Sequence, residues 1–284
     1  MLFILNTVCL CMIFALVTIN IFLSSQVLGE TDLTCEVSTS VGACIFAHLF
    51  MIDCGVCFSL LSACVIGWVC GALTMIVAEK ISIAPVLSSI IMIMGVQSIL
   101  NRVVPVTQMI NVHDIFAMDI YGRHLLIFIL CSIIIFGIYL LLHSERGLII
   151  RMSGGSPVFA EKYGVNTIKM KTMIFALGNA LCAIAGACIV MLQGSVNASI
   201  GTGTFVFGLA AILIGNKMYS SRDISVQLYG SIIGAIIYKC ILEFITCFKM
   251  FNIDAAYNNL VASLVLIVFL AVLKSDSLVK VHGR

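Results

Sequence analysis

Apolar runs long enough to cross a bilayer make up this chain, and the short polar clusters between them hold nearly all of its charge. A helix that traverses hydrocarbon needs about 20 apolar residues, because lipid offers its backbone no hydrogen-bond partner. Runs near 2–24, 37–52, 56–78, 83–101, 124–143, 172–192, 201–219, 226–247 and 257–273 meet or approach that length. Only 10% of the residues are charged and 62% are hydrophobic, against about a quarter and a half in soluble domains. A water-soluble domain is excluded. The expected fold is all-α, a single polytopic transmembrane domain over 1–284, with about eight or nine spans.

The run at 2–24 has no Lys or Arg ahead of it and no small-residue cleavage pattern. It reads as a retained first helix rather than a signal peptide. Ten of the thirteen cysteines lie within apolar runs, where cysteine acts as a small hydrophobe that lets helices approach. The one C-x-x-C, Cys54 and Cys57, lacks a second pair and a histidine at finger spacing. Packing is favoured there over a disulfide or a metal. The five histidines are scattered singly, so no metal site is expected. A net charge of +2 gives no footprint for nucleic acid.

Orientation follows from Lys and Arg. With the 144–171 loop in the cytoplasm, that side gathers Lys80, Arg146, Arg151, Lys162, Lys169, Lys171, Lys217, Arg222, Lys274, Lys280 and Arg284. The opposite side keeps Arg102, Arg123 and Lys249. This bias predicts a cytoplasmic C-terminus.

Two spans read as broken. Residues 29–40 (GETDLTCEVSTS) carry three acids and no base between two apolar runs, and 201–219 opens on Gly-Thr-Gly with only a short apolar stretch. Irregular backbone at membrane depth is tolerated only against protein or a water-filled cavity, which is where transport proteins bring polar groups to a solute. Asp32 sits at the first break. Lys239 lies inside its span with Glu243 four residues on, so the two share a helical face as an intramembrane charge pair. Either they neutralise each other or they serve transport. Gly67-x-x-x-Gly71, Gly178-x-x-x-Cys182-x-x-x-Gly186 and Gly230-x-x-x-Gly234 read as helix-packing stripes within the chain.

The chain has no G-x-x-x-x-G-K-[ST], no G-x-G-x-x-G, no H-E-x-x-H and no G-x-S-x-G. It therefore lacks a nucleotide-binding loop and any hydrolytic starting motif. It is not expected to be an enzyme.

Two stretches carry a resemblance. R-M-S-G-G-S-P-V-F-A-E-K-Y-G-V-N over 151–166 resembles the R-A-x-G-[DE]-N-P-x-x-A-x-x-x-G-[IV]-[NKD] loop of permease subunits in ABC importers of the branched-chain amino acid and ribose type. Arg151, Gly154, Pro157, Ala160, Gly164, Val165 and Asn166 match, while Gly155 and Ser156 replace the usual acid and asparagine. Residues 175–219, with Gly178-Asn179-Ala180-Leu181, Gln193-Gly194, Gly201-x-Gly203 and Gly208-Leu-Ala-Ala-Ile-Leu-Ile-Gly215, are similar to a second run of that family. Within it, T-D-L-T-C-E-V-S over 31–38 echoes the P-D-[LM]-T-x-E-G-S segment of a subgroup tied to tryptophan and tyrosine uptake.

The resemblance implies a permease subunit in a bacterial inner membrane, in contact with lipid, that pairs with a second copy of itself, with separate ABC ATPase subunits, which bind the ATP, and with an extracytoplasmic solute-binding protein. No cofactor is bound by the chain itself. The solute is expected to be an amino acid or a related compound. Asp32, Thr34, Asn179 and Gln193 are the residues expected along the translocation path. Arg151, Gly154, Ser156, Pro157, Phe159, Ala160, Tyr163 and Gly164 form the expected ATPase-coupling loop, with a short helix over 156–163. Ser156 would cap it, Pro157 would open it and Gly164 would end it. Phe159 and Tyr163 would share its docking face. The alternative is an ion-coupled secondary transporter or channel working through Asp32, Lys239 and Glu243, which leaves the basic loop unexplained.

Overall fold

The structure is a computed structural model and describes residues 2–104, 107–109, 120–219, 223–247, 263–264 and 267. Most of the ninth run, Arg222, Lys249 and the basic C-terminal residues lie outside the described residues. The fold is all-α. In chain order come α1 (Leu2–Ile21), a π-helix (Phe22–Val27), α2 (Cys35–Met51), α3 (Val56–Ile81), α4 (Pro85–Val103), α5 (Ile120–His143), α6 (Glu145–Gly155), α7 (Pro157–Lys162), α8 (Thr167–Gln193), α9 (Thr204–Met218) and α10 (Ile224–Cys247). Two residue-pairs of strand, β1 (Gln108–Met109) and β2 (Ser195–Val196), form an antiparallel clip. Six helices among the described residues are long and apolar enough to cross a membrane; α2 and α9 are shorter.

Helix boundaries depart from the apolar runs where capping decides them. α8 begins at Thr167 rather than 172, because the Asn166 side chain accepts the Lys169 N–H and starts the helix inside its basic turn. The expected loop at 144–171 is largely helical. Ser144 caps α6 by accepting the Gly147 N–H, with Glu145 in the first turn. The run at 201–219 is helical only from Thr204, since Gly203 at φ +86° turns the chain into it. The break suspected over 29–40 is non-helical at 28–34, with α2 starting at Cys35; in the run 201–219 only 201–203 is non-helical, the end of a break over 194–203, and 204–218 is one continuous helix.

The helices assemble as two units built from the same order of pieces: a long helix, a break, a short helix and a second long helix. The first unit is α1, the π-helix and break, α2 and α3; the second is α8, its break, α9 and α10. Each short helix packs on the first long helix of the other unit, α2 on α8 and α9 on α1. α8 is the buried axis, while α4 and α5 turn Leu87, Ile91, Met94, Phe136 and Leu140 outward. The small-residue stripes serve this packing. Gly71 lies on the Phe175 carbonyl, Gly186 on the Thr39 carbonyl and Gly234 on the Ala211 carbonyl, with no space for a Cβ.

Candidate functional site

The first break begins where the π-helix leaves its ladder. The Leu28 N–H bonds the Leu23 carbonyl, the Glu30 N–H bonds the Ser24 carbonyl, and Gly29 at φ +72° redirects the chain inward. Three residues after Gly29, Asp32 is fully buried. One carboxylate oxygen accepts the Thr34 N–H at 2.9 Å, and the other accepts the Asn179 amide at 2.6 Å. That amide also donates to the Phe175 carbonyl at 2.9 Å, and Ser38 Oγ donates to its oxygen at 2.7 Å. Thr34 and Thr74 hydroxyls bond at 3.0 Å. Among the described residues Asp32 has no ion-pair partner, so neutral donors carry its compensation. Asn20 closes the cluster from α1: its amide donates to Cys182 Sγ at 3.2 Å, and its buried oxygen has no partner.

The second break is tied to the same helix, α2. Gly201 N–H donates to Ser40 Oγ and Gly203 N–H to Glu36 Oε1, each at 3.0 Å. Gly201 presses on the Glu36 carbonyl so closely that no Cβ fits. The T-D-L-T-C-E-V-S segment thus meets both parts of the 175–219 stretch: Asp32 and Ser38 hold Asn179, and Glu36 holds Gly203. The first turn of α2 joins the two breaks.

Of the residues expected along a path, Asp32, Thr34 and Asn179 come together. Gln193 does not. It is exposed at the far end of α8, about 20 Å along the axis from Asn179. Asn20, Glu36, Ser38 and Thr74 belong to the cluster without having been singled out. Asn20 had a readable signal, an amide within an apolar run. Lys239 and Glu243 form an ion pair at 2.9 Å on one face of α10, and Lys239 Nζ sits 4.5 Å from the Phe14 ring centroid. Their charges are satisfied against each other and an aromatic face.

The expected coupling helix is α7. Pro157 opens it and Gly164, at φ +77°, ends it. The Gly164 N–H bonds the Glu161 carbonyl and the Val165 N–H the Ala160 carbonyl, a Schellman ending. Ser156 is corrected in one respect: its side chain makes no capping bond, because the residue also closes α6, its N–H on the Met152 carbonyl. Ala160 is buried beneath the helix, whereas Phe159 is 50% and Tyr163 69% exposed, their rings 4.7 Å apart. Arg151 turns back to the Gly147 carbonyl, and Gly154 rests on the Val27 carbonyl.

Comparison with known proteins places the chain among transport proteins. A family model described as "Branched-chain amino acid transport system / permease component" matches residues 3–270. The tyrosine transport system permease protein of Clostridioides difficile is 24% identical over 265 residues, covering 92% of this chain and 88% of that protein. The ribose import permease protein RbsC of Escherichia coli is 24% identical over 250 residues, 83% of this chain and 76% of RbsC. The fructose import permease protein FrcC of Rhizobium meliloti is 24% identical over 153 residues, 54% of this chain and 40% of FrcC. No solved structure matches.

Proposed function

Because this chain belongs to the family of branched-chain amino acid transport system permease components, a family of ABC-importer permeases, we propose that it forms the translocation path for an amino acid or related small solute. In this reading a binding protein delivers the solute from outside, two ATPase subunits drive the cycle, and a second copy of the chain completes the membrane unit. The observation that carries the reading is α7. A six-residue helix is unstable alone in water, yet this one is fixed at both ends and holds Val158, Phe159 and Tyr163 outward at a basic end of the molecule. Exposed aromatics on a rigid support are the usual anchors of a protein interface. The basic residues around them, Arg146, Arg151, Lys162 and Lys169, support a cytoplasmic position for that face under the positive-inside rule. Outward-facing α4 and α5 meet lipid. ATP is held by the ATPase subunits, and this chain binds no cofactor.

The internal pairing of Lys239 with Glu243 removes a motive for the ion-coupled alternative. The buried polar cluster around Asp32 and Asn179 supports a solute path that opens between α2, α3 and α8 during the cycle. The test is coexpression with candidate ABC ATPase subunits and copurification, followed by uptake into liposomes with tyrosine, other amino acids, ribose and fructose as probes. A Phe159→Ala, Tyr163→Ala double variant is expected to insert normally and to lose the ATPase. Copurification of that variant at wild-type stoichiometry overturns the role of α7. Uptake by the isolated chain under a sodium or proton gradient overturns the importer reading.

A further inference from the structure

The π-helix and first break, residues 22–34, are stapled to α6 and α8 by direct contacts. α6 touches the strap at its middle: Gly154 lies on the Val27 carbonyl and the Leu28 Cα, with no room for a Cβ between them. Next along the strap, Glu30 Oε1 pairs with Lys171 Nζ in the first turns of α8 at 2.8 Å, both groups mostly buried. Two residues further on, Asp32 holds Asn179, eight residues along the same helix or about 12 Å. α7 is joined to the start of α8 as well, through the Thr167 hydroxyl donating to Glu161 Oε1 at 2.8 Å. No flexible side chain intervenes between α6 and the strap. The strap itself is irregular backbone, a π-turn followed by a left-handed glycine and unladdered residues. Such segments recur at functional sites because they have other arrangements within reach.

We propose that residues 22–34 transmit movement of α6 and α7 to the buried Asp32 cluster, with Gly154 and the Glu30 to Lys171 ion pair as its positioning contacts. The proposal rests on the reading of α7 as the ATPase-docking helix. A shift of α7 carries α6, with which it shares Ser156. Backbone against backbone at Gly154 passes the shift to Val27, and the ion pair fixes the pivot about which the strap moves Asp32 relative to Asn179. Neither contact touches solute.

The test is hydrogen exchange of the peptide covering 28–36 in the purified permease–ATPase complex, with and without the nonhydrolysable nucleotide AMP-PNP. In the wild-type complex, nucleotide is expected to change exchange in that peptide by about tenfold, a typical coupling between distant sites. Lys171→Glu is expected to keep the ATPase bound and to abolish that response, and Gly154→Val is expected to abolish it as well. Combining Glu30→Lys with Lys171→Glu re-forms the ion pair in reverse and is expected to restore it, which a merely destabilised chain would not do. A nucleotide response that survives both single variants, or that the charge-swapped pair fails to recover, overturns the strap. Absence of the ATPase from the wild-type preparation is a different result and overturns the docking reading on which the strap rests.

Discussion

In the break at 28–34 a buried carboxylate holds the backbone, reaching an amide 147 residues away; in the break at 194–203 the backbone itself donates, from Gly201 and Gly203 to side chains of α2. In both, backbone outside the helices finds its partners in protein. The first keeps an ionisable group fully enclosed by neutral donors. The second buries no acid of its own, borrows the half-buried Glu36, and depends on a glycine having no Cβ. One break is therefore sensitive to the loss of a polar atom, and the other to the addition of a methyl group.

The largest effect should come from Asp32→Ala. It strands the Thr34 N–H and the Asn179 amide in a buried cluster. Each unsatisfied buried group costs about 1–3 kcal/mol, so the expected loss of stability is about 3–5 kcal/mol. Glu36→Ala leaves the Gly203 N–H nearer to water, and the expected loss is about 1 kcal/mol. Unfolding in mixed micelles reads both. Equal costs would mean that burial does not separate the two breaks.

The breaks were legible in the sequence because the composition around them is anomalous: three acids without a base over 29–40, and Gly-Thr-Gly ahead of a short apolar run at the other. The long helices were legible for the converse reason. The joining of the breaks was not, since Glu36 with Gly203 and Asp32 with Asn179 are contacts across more than a hundred residues that no local period encodes. The cap at Asn166 and helix α6 were hidden by polarity, because capping residues look like loop. In α7 the glycine and proline signals carried over to the backbone, whereas Ser156 did not cap: a residue closing one helix and opening the next is held by its own backbone.

Gly201→Ala tests the second break on its own terms. The new Cβ would fall on the Glu36 carbonyl, backbone that cannot rotate away. Relief requires α2 and the 197–203 turn to separate, and overpacking of this kind costs about 1–3 kcal/mol. The expected value is about 2 kcal/mol, below Asp32→Ala and above Glu36→Ala. A neutral result would show that the Gly201 N–H bond to Ser40, rather than the close approach, holds the turn.

Gly29→Ala returns to the first break and should give the smallest of these effects at a glycine. Gly29 has φ +72°, yet a Cβ placed there meets nothing within 4 Å. Only the left-handed backbone opposes the substitution, at about 1–2 kcal/mol. Asparagine visits that region more readily than alanine, so Gly29→Asn is expected to recover most of the loss. The ranking separates conformational strain from crowding: strain predicts alanine worse than asparagine, whereas crowding predicts the larger asparagine worse. Because Gly29 directs Glu30 toward Lys171, the same pair of variants should also rank in the strength of that ion pair, read by the effect of salt on their stability. If asparagine is the more damaging residue in the assembled complex but not in the isolated chain, the space beside Gly29 is filled by a partner subunit.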